Sequence, residues 1–180
     1  MWWTNMNKTR ELVFVSVLAA LGSILGLFEG MIPLPFIAPG VRLGFSNIVV
    51  LVSLILFGYK KGILVSLLKS VLLMLMTGNV SSFMYSFSGA LFSSISMSII
   101  ILIGNKYVSL IGVSLIGSAF HNIAQVTISA IVLSNLMMFS YLPILLILGL
   151  FTGFFVGISS DYIVKNLKRT IPIKHEEWLL

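Results

Sequence analysis

The sequence predicts an all-α integral membrane protein, a six-transmembrane-helix bundle with both termini in the cytoplasm. Composition is the first observation: of 180 residues 58% are hydrophobic and 9% charged, where soluble domains carry about 25% charged residues. The mean hydropathy is +1.12. The second is the recurrence of apolar runs at a spacing that fits spans of roughly 20 residues each, so a chain of this length holds at most six or seven and leaves no room for a separate soluble domain. The third is the placement of lysine and arginine between those runs.

The first run, about 12–28, follows Lys8 and Arg10. That pattern alone resembles a secretory signal, but five further runs make it a first-span anchor. It carries Gly22, Gly26 and Gly30 at spacing four, together with the small pairs Ser16/Ala20 and Ala19/Ser23. Small residues at this spacing let helix backbones approach closely in lipid. One such face serves packing within the bundle, and the other is available to a partner membrane protein. The connection 29–42 contains Pro33, Pro35 and Pro39, which cannot continue a helix. The apolar residues among these prolines suit either a lid folded back over the bundle or a connector lying on the headgroups.

Spans are predicted next at about 43–57 and 62–76, both short enough to call for tilt or local thinning. Three longer ones follow at about 83–103, 108–133 and 142–164. The last carries its own ladder of Gly149, Gly153 and Gly157.

On this count Lys8, Arg10, Lys60, Lys61, Lys106, Lys165, Lys168, Arg169 and Lys174 all fall on one side, nine of the 11 basic residues. Cytoplasmic loops hold the Lys and Arg, so that side is the inner one. The formal charge of +6 is thereby explained by topology and contact with anionic lipid, and nucleic acid is not an expected partner.

Several chemistries are excluded by what the chain lacks. With no cysteine there are no disulfides, thiolate metal sites or cysteine nucleophiles. The five carboxylates are Glu11, Glu29, Asp161, Glu176 and Glu177, and a single Asp cannot supply the clustered aspartates that hold magnesium against a diphosphate. No Walker P-loop is present. Two histidines, His121 and His175, cannot build a histidine-rich metal or haem site. The expectation is a non-enzyme with no catalytic residues, no metal and no cofactor.

What remains is a set of polar residues in the wrong solvent, each a functional hypothesis by default. Glu29 ends the first span, Arg42 and Asn47 flank the start of the second, and Asn79 occupies the turn after the third. In the fifth span His121 lies about 20 Å from its inner end at 1.5 Å per residue, accompanied by Asn122 and Gln125. His121 and Gln125 share a helix face. These residues gather at one level toward the outside and offer a cation, a carboxylate, amides and an imidazole, a mixture suited to a small polar or anionic molecule. The competing reading is an interfacial Glu29–Arg42 ion pair plus interhelical polar bonds. Lys69 is seven residues into the third span and is expected to snorkel to the inner surface, with a site contact or a helix-packing lock as the alternatives.

Three segments, Pro39-Gly40-Val41-Arg42-Leu43-Gly44-Phe45-Ser46-Asn47-Ile48-Val49, Tyr85-Ser86-Phe87-Ser88-Gly89-Ala90-Leu91 and His121-Asn122-Ile123-Ala124-Gln125, resemble a bacterial membrane family known as Gx transporter or heptaprenyl diphosphate synthase component I. The likeness runs from roughly residue 12 to 164. That family is similar in turn to the S components of energy-coupling-factor (ECF) transporters, six-helix substrate-binding proteins with both termini in the cytoplasm. The resemblance implies a site at Arg42, Asn47, His121, Asn122 and Gln125, to which the depth argument adds Glu29 and Asn79. It also implies a docking face for a transmembrane T component at an alanine pair, for which Ser16, Ala19, Ala20 and Ser23 are the nearest equivalents. The reading is thus a binding subunit in the bacterial cytoplasmic membrane. Its substrate is a vitamin, flavin or isoprenoid precursor, and its partners are a T component and ATPases. The rival is a non-catalytic component partnering a prenyl synthase catalytic subunit.

Overall fold

A computed structural model describes residues 8–32, 41–104 and 108–170. Most of the Pro-rich connection lies outside the described residues, as do Lys106, Lys174 and His175. Among the described residues the chain forms six α-helices: α1 (Lys8–Met31), α2 (Asn47–Phe57), α3 (Tyr59–Thr77), α4 (Val80–Gly104), α5 (Leu110–Val132) and α6 (Leu142–Thr170). A short 3-10 helix, Leu136–Tyr141, joins the last two. Four of the helical segments are long and apolar enough to cross a membrane, beginning at Thr9, Val80, Leu110 and Leu136. This is a multi-pass membrane protein.

The helix ends follow local chemistry. Gly58, at φ +82°, separates α2 from α3, and Gly78, at φ +64°, stops α3 with its N–H on the Met74 carbonyl. Side chains with a Cβ resist this left-handed region. The Asn79 side-chain oxygen then accepts the Ser82 N–H at 2.9 Å, capping the start of α4, and the Ser109 hydroxyl accepts the Gly112 N–H at the start of α5.

Apolar side chains cover the outside as well as filling part of the interior, as expected where lipid is the solvent. Large apolar side chains such as Leu21, Phe28, Phe92, Ile103, Phe151 and Phe155 face outward. Serines fill the interior of α4, where Ser88, Ser94, Ser96 and Ser98 bond carbonyls of their own helix. Between α5 and α6, Ser114 and Ser118 donate across the interface to the Gly153 and Gly149 carbonyls at 2.6 and 2.8 Å. The α6 glycine ladder makes this approach possible: a Cβ on Gly157 would meet Ile111 Cα at 2.6 Å.

α2 runs through the middle. Its 11 residues rise only about 16 Å, about half a hydrocarbon core, and Val50, Leu51, Val52, Leu54, Ile55 and Leu56 form a closed apolar cluster with Met97, Val113, Val156 and Val164. Upstream of α2 the chain is irregular from residue 41 to 46. Irregular backbone at membrane depth must find its hydrogen bonds inside the protein, and the search for those partners leads to the polar residues.

Candidate functional site

The irregular segment is held by side chains from other helices. Gln125 of α5 pairs with the Arg42 backbone as a second strand would: the Arg42 N–H donates to Gln125 Oε1 and Gln125 Nε2 donates to the Arg42 carbonyl, both at 2.9 Å. The Glu29 carboxylate, at the end of α1, accepts the N–H groups of Gly44 and Ser46. Thr152 of α6 donates to the Leu43 carbonyl at 3.1 Å. These contacts answer the backbone's demand and fix where Arg42 and Asn47 emerge.

Two cations converge beneath that segment. The Arg42 guanidinium reaches α1, donating from Nη1 to the Gly26 carbonyl and from Nη2 to Ser82 Oγ. Lys69 is 3% exposed and donates from Nζ to Ser46 Oγ and to Asn47 Oδ1, both at 2.9 Å. The expectation that Lys69 snorkels to the inner surface is therefore corrected: its stem runs between α1 and α3, and its ammonium ends in the site. Space for this comes from α1 glycines, since a Cβ on Gly22 would lie 3.2 Å from Lys69 Cδ and one on Gly26 3.1 Å from Arg42 Nη1.

With its oxygen toward Lys69, the Asn47 amide nitrogen faces Ser93 Oγ and His121 Nδ1, at 3.3 and 3.4 Å. His121 is enclosed by Gly44 on one side and Gly89 on the other, where a Cβ would approach the ring within 3.3 and 2.7 Å. Asn122 faces α6 and donates to the Leu145 carbonyl at 2.7 Å.

The network is rich in donors and short of acceptors. Among the described residues ion pairs form between Lys61 and Glu11 and between Lys165 and Asp161, so Glu29 and Arg42 are not the interfacial pair that sequence order suggests. By formal charge Glu29, Arg42 and Lys69 leave an excess of one positive charge inside the bundle. Arg42 Nε, His121 Nε2 and Asn122 Oδ1 are buried without a partner. Buried polar atoms are rarely left so, and each costs about 1–3 kcal/mol unless something completes it.

The structure thus brings together Glu29, Arg42, Asn47, His121 and Gln125 and adds Lys69, Ser46, Ser82 and Ser93, while Asn122 is turned to α6. Asn79 stands apart, exposed and committed to capping α4. Tyr85 is buried, whereas Phe120 faces outward. Of the small residues on α1, Ala19 and Ser23 are buried, with Ser23 Oγ on the Ala19 and Lys69 carbonyls, which removes that pair from any docking face. Ser16 and Ala20 are exposed. Lys69 carried a signal in the sequence: Gly62, Ser66, Ser70 and Leu73 share its helical stripe, and that stripe is the buried one. No three of His, Cys, Asp and Glu among the described residues are placed to hold a metal ion.

Comparison with known proteins gives three findings. Residues 18–163 match the family model described as heptaprenyl diphosphate synthase component I. A riboflavin transporter, RibU of Staphylococcus aureus (strain TCH60), is 34% identical over 68 residues, which are 38% of this chain and 35% of that protein; the match thus spans about a third of the relative. A solved S component of a bacterial ECF transporter superposes with a TM-score of 0.72 at 20% identity, over 91% of this chain and 98% of that one. The likeness is one of fold.

Proposed function

The chain belongs to the heptaprenyl diphosphate synthase component I family, and from that premise we propose that it works as the substrate-binding membrane subunit, or S component, of an ECF-type importer. The observation that carries the reading is the buried cluster around Arg42, Lys69 and His121, whose unpartnered atoms and positive excess lie inside a bundle with the S-component fold. A purely structural network would be expected to satisfy itself. Here Arg42 Nε, a donor, and His121 Nε2 are left over within one cluster, which is what a small polar or anionic ligand requires.

On this reading all six helices belong to the membrane domain, with the Lys60–Lys61 end and both termini in the cytoplasm. The substrate enters from the opposite side and is a vitamin-class molecule. The similarity to a riboflavin transporter favours a flavin, and an isoprenoid precursor is the alternative within the same site. The chain binds and does not catalyse. With no P-loop in its sequence, inward release depends on a T component and two ATPases, for which the exposed Ser16/Ala20 surface of α1 is the docking candidate.

A second reading is favoured by the family's description: a non-catalytic membrane component of a prenyl diphosphate synthase. Capture of the tagged protein from native membranes in mild detergent, with quantitative mass spectrometry, separates the two. Stoichiometric T component and ATPases are expected. A prenyl synthase subunit in their absence would overturn the importer reading.

A further inference from the structure

At the other end of the bundle, around the α2–α3 turn, a cavity of about 390 Å³ opens between α2, α3 and the last turns of α4. Its size is that of a small-ligand pocket. Leu54 and Ile55 of α2 and Ile101 and Leu102 of α4 supply an apolar wall, and Lys60 and Lys61 stand at its α3 side. Ser98, the one hydroxyl on the α4 wall, donates to the Ser94 carbonyl of its own helix at 2.6 Å, so it is already engaged.

The charges at this cavity are unbalanced. Lys61 shares Glu11 at 3.5 Å, whereas the Lys60 ammonium lies 5.9 Å from the Tyr59 ring centre with no carboxylate of the described residues in contact. The other carboxylates among the described residues are committed, Glu29 to the opposite end and Asp161 to Lys165. Tyr59 is 47% exposed and Leu102 58% exposed, an aromatic and an aliphatic surface beside ammonium groups. Such a combination belongs at the level where acyl chains meet headgroups.

We propose that this cavity is a binding site for an anionic phospholipid, with one acyl chain against Leu54, Ile55, Ile101 and Leu102 and the phosphate between Lys60 and Lys61. A small polar anion would leave the apolar wall uncovered. A zwitterionic lipid would bring its own cation to two lysines that already exceed their carboxylate by one. The site is separate from the cluster around Arg42 and does not depend on the importer reading.

Native mass spectrometry of the full chain in mild detergent tests it, with added phosphatidylglycerol or phosphatidylcholine of identical acyl chains. The wild type is expected to retain phosphatidylglycerol at least about tenfold better. Lys60→Gln/Lys61→Gln should abolish that preference, while Lys168→Gln/Arg169→Gln, which removes the same charge elsewhere, should keep it. Ile101→Trp, which fills the cavity, should reduce retention of both lipids. Equal retention of the two lipids by the wild type would overturn the proposal, as would a preference that survives in the double glutamine variant. Displacement of phosphatidylglycerol by equimolar glycerol phosphate would also overturn it, by showing that the headgroup alone is bound.

Discussion

The two ends of α2 lie in one helix and are stabilised by opposite means. From Val50 to Leu56 it sits in a closed apolar cluster with Met97, Val113, Val156 and Val164. At Ser46 and Asn47 it meets Lys69, His121 and the chain from Arg42 onward. The apolar end is close-packed against α4, α5 and α6, with Ser53 Oγ its one buried polar atom without a partner, and it opens at the cavity beside Leu54 and Ile55. The polar end is incomplete, with Arg42 Nε and His121 Nε2 buried and unpartnered and a formal excess of one positive charge. In lipid, close packing holds helices together without the hydrophobic drive available in water, so an incomplete polar cluster is costly unless a ligand completes it.

Substitutions at the two ends should therefore fail differently. The largest effect is expected from Leu51→Ala in the apolar cluster, about 2–5 kcal/mol of stability for a buried leucine. Thermal unfolding in detergent reads this loss, and ligand affinity of the remaining folded protein should be unchanged. Loss of ligand without loss of stability would break the division between the ends.

Gln125→Ala is of similar size, because it strands the Arg42 backbone N–H and carbonyl at about 2–5 kcal/mol together. Unlike Leu51→Ala, it should lower both the unfolding temperature and ligand affinity, since Gln125 positions Arg42. Arg42→Ala should act on binding, weakening an anionic ligand by about 1–3 kcal/mol, readable by isothermal calorimetry. Unchanged affinity would remove Arg42 from the site. The smallest effect is expected at Asn79, where alanine removes a helix cap at about 1 kcal/mol and leaves affinity as it was; a binding defect there would return Asn79 to the site.

Much of this division is legible in the sequence, and the exceptions have physical causes. Composition and charge placement show a membrane bundle, because the bilayer constrains every segment at once. His121, Asn122, Gln125, Arg42 and Asn47 stand out because polar groups inside a span are rare. Their individual roles are not legible. Gln125 and Glu29 bond backbone atoms of residues 42–46, partners that exist only once that segment is irregular. Lys69 reads as a snorkelling lysine because its depth is visible in sequence and the neighbour that decides its direction, Gly22 on α1, is not. Asn79 has the right depth and the wrong job: it follows the helix-ending Gly78 and spends its oxygen on Ser82.

On the proposed function the polar end holds a small molecule. The most direct measurement extracts the protein from native membranes in mild detergent, releases bound small molecules by denaturation and identifies them by mass spectrometry. The wild type is compared with Lys69→Met, which keeps the volume of the stem and removes the ammonium. One compound near stoichiometry is expected in the wild type, and its loss from a variant that still unfolds cooperatively. Only lipid and detergent in the wild type, or the same compound at the same level in both, would contradict it.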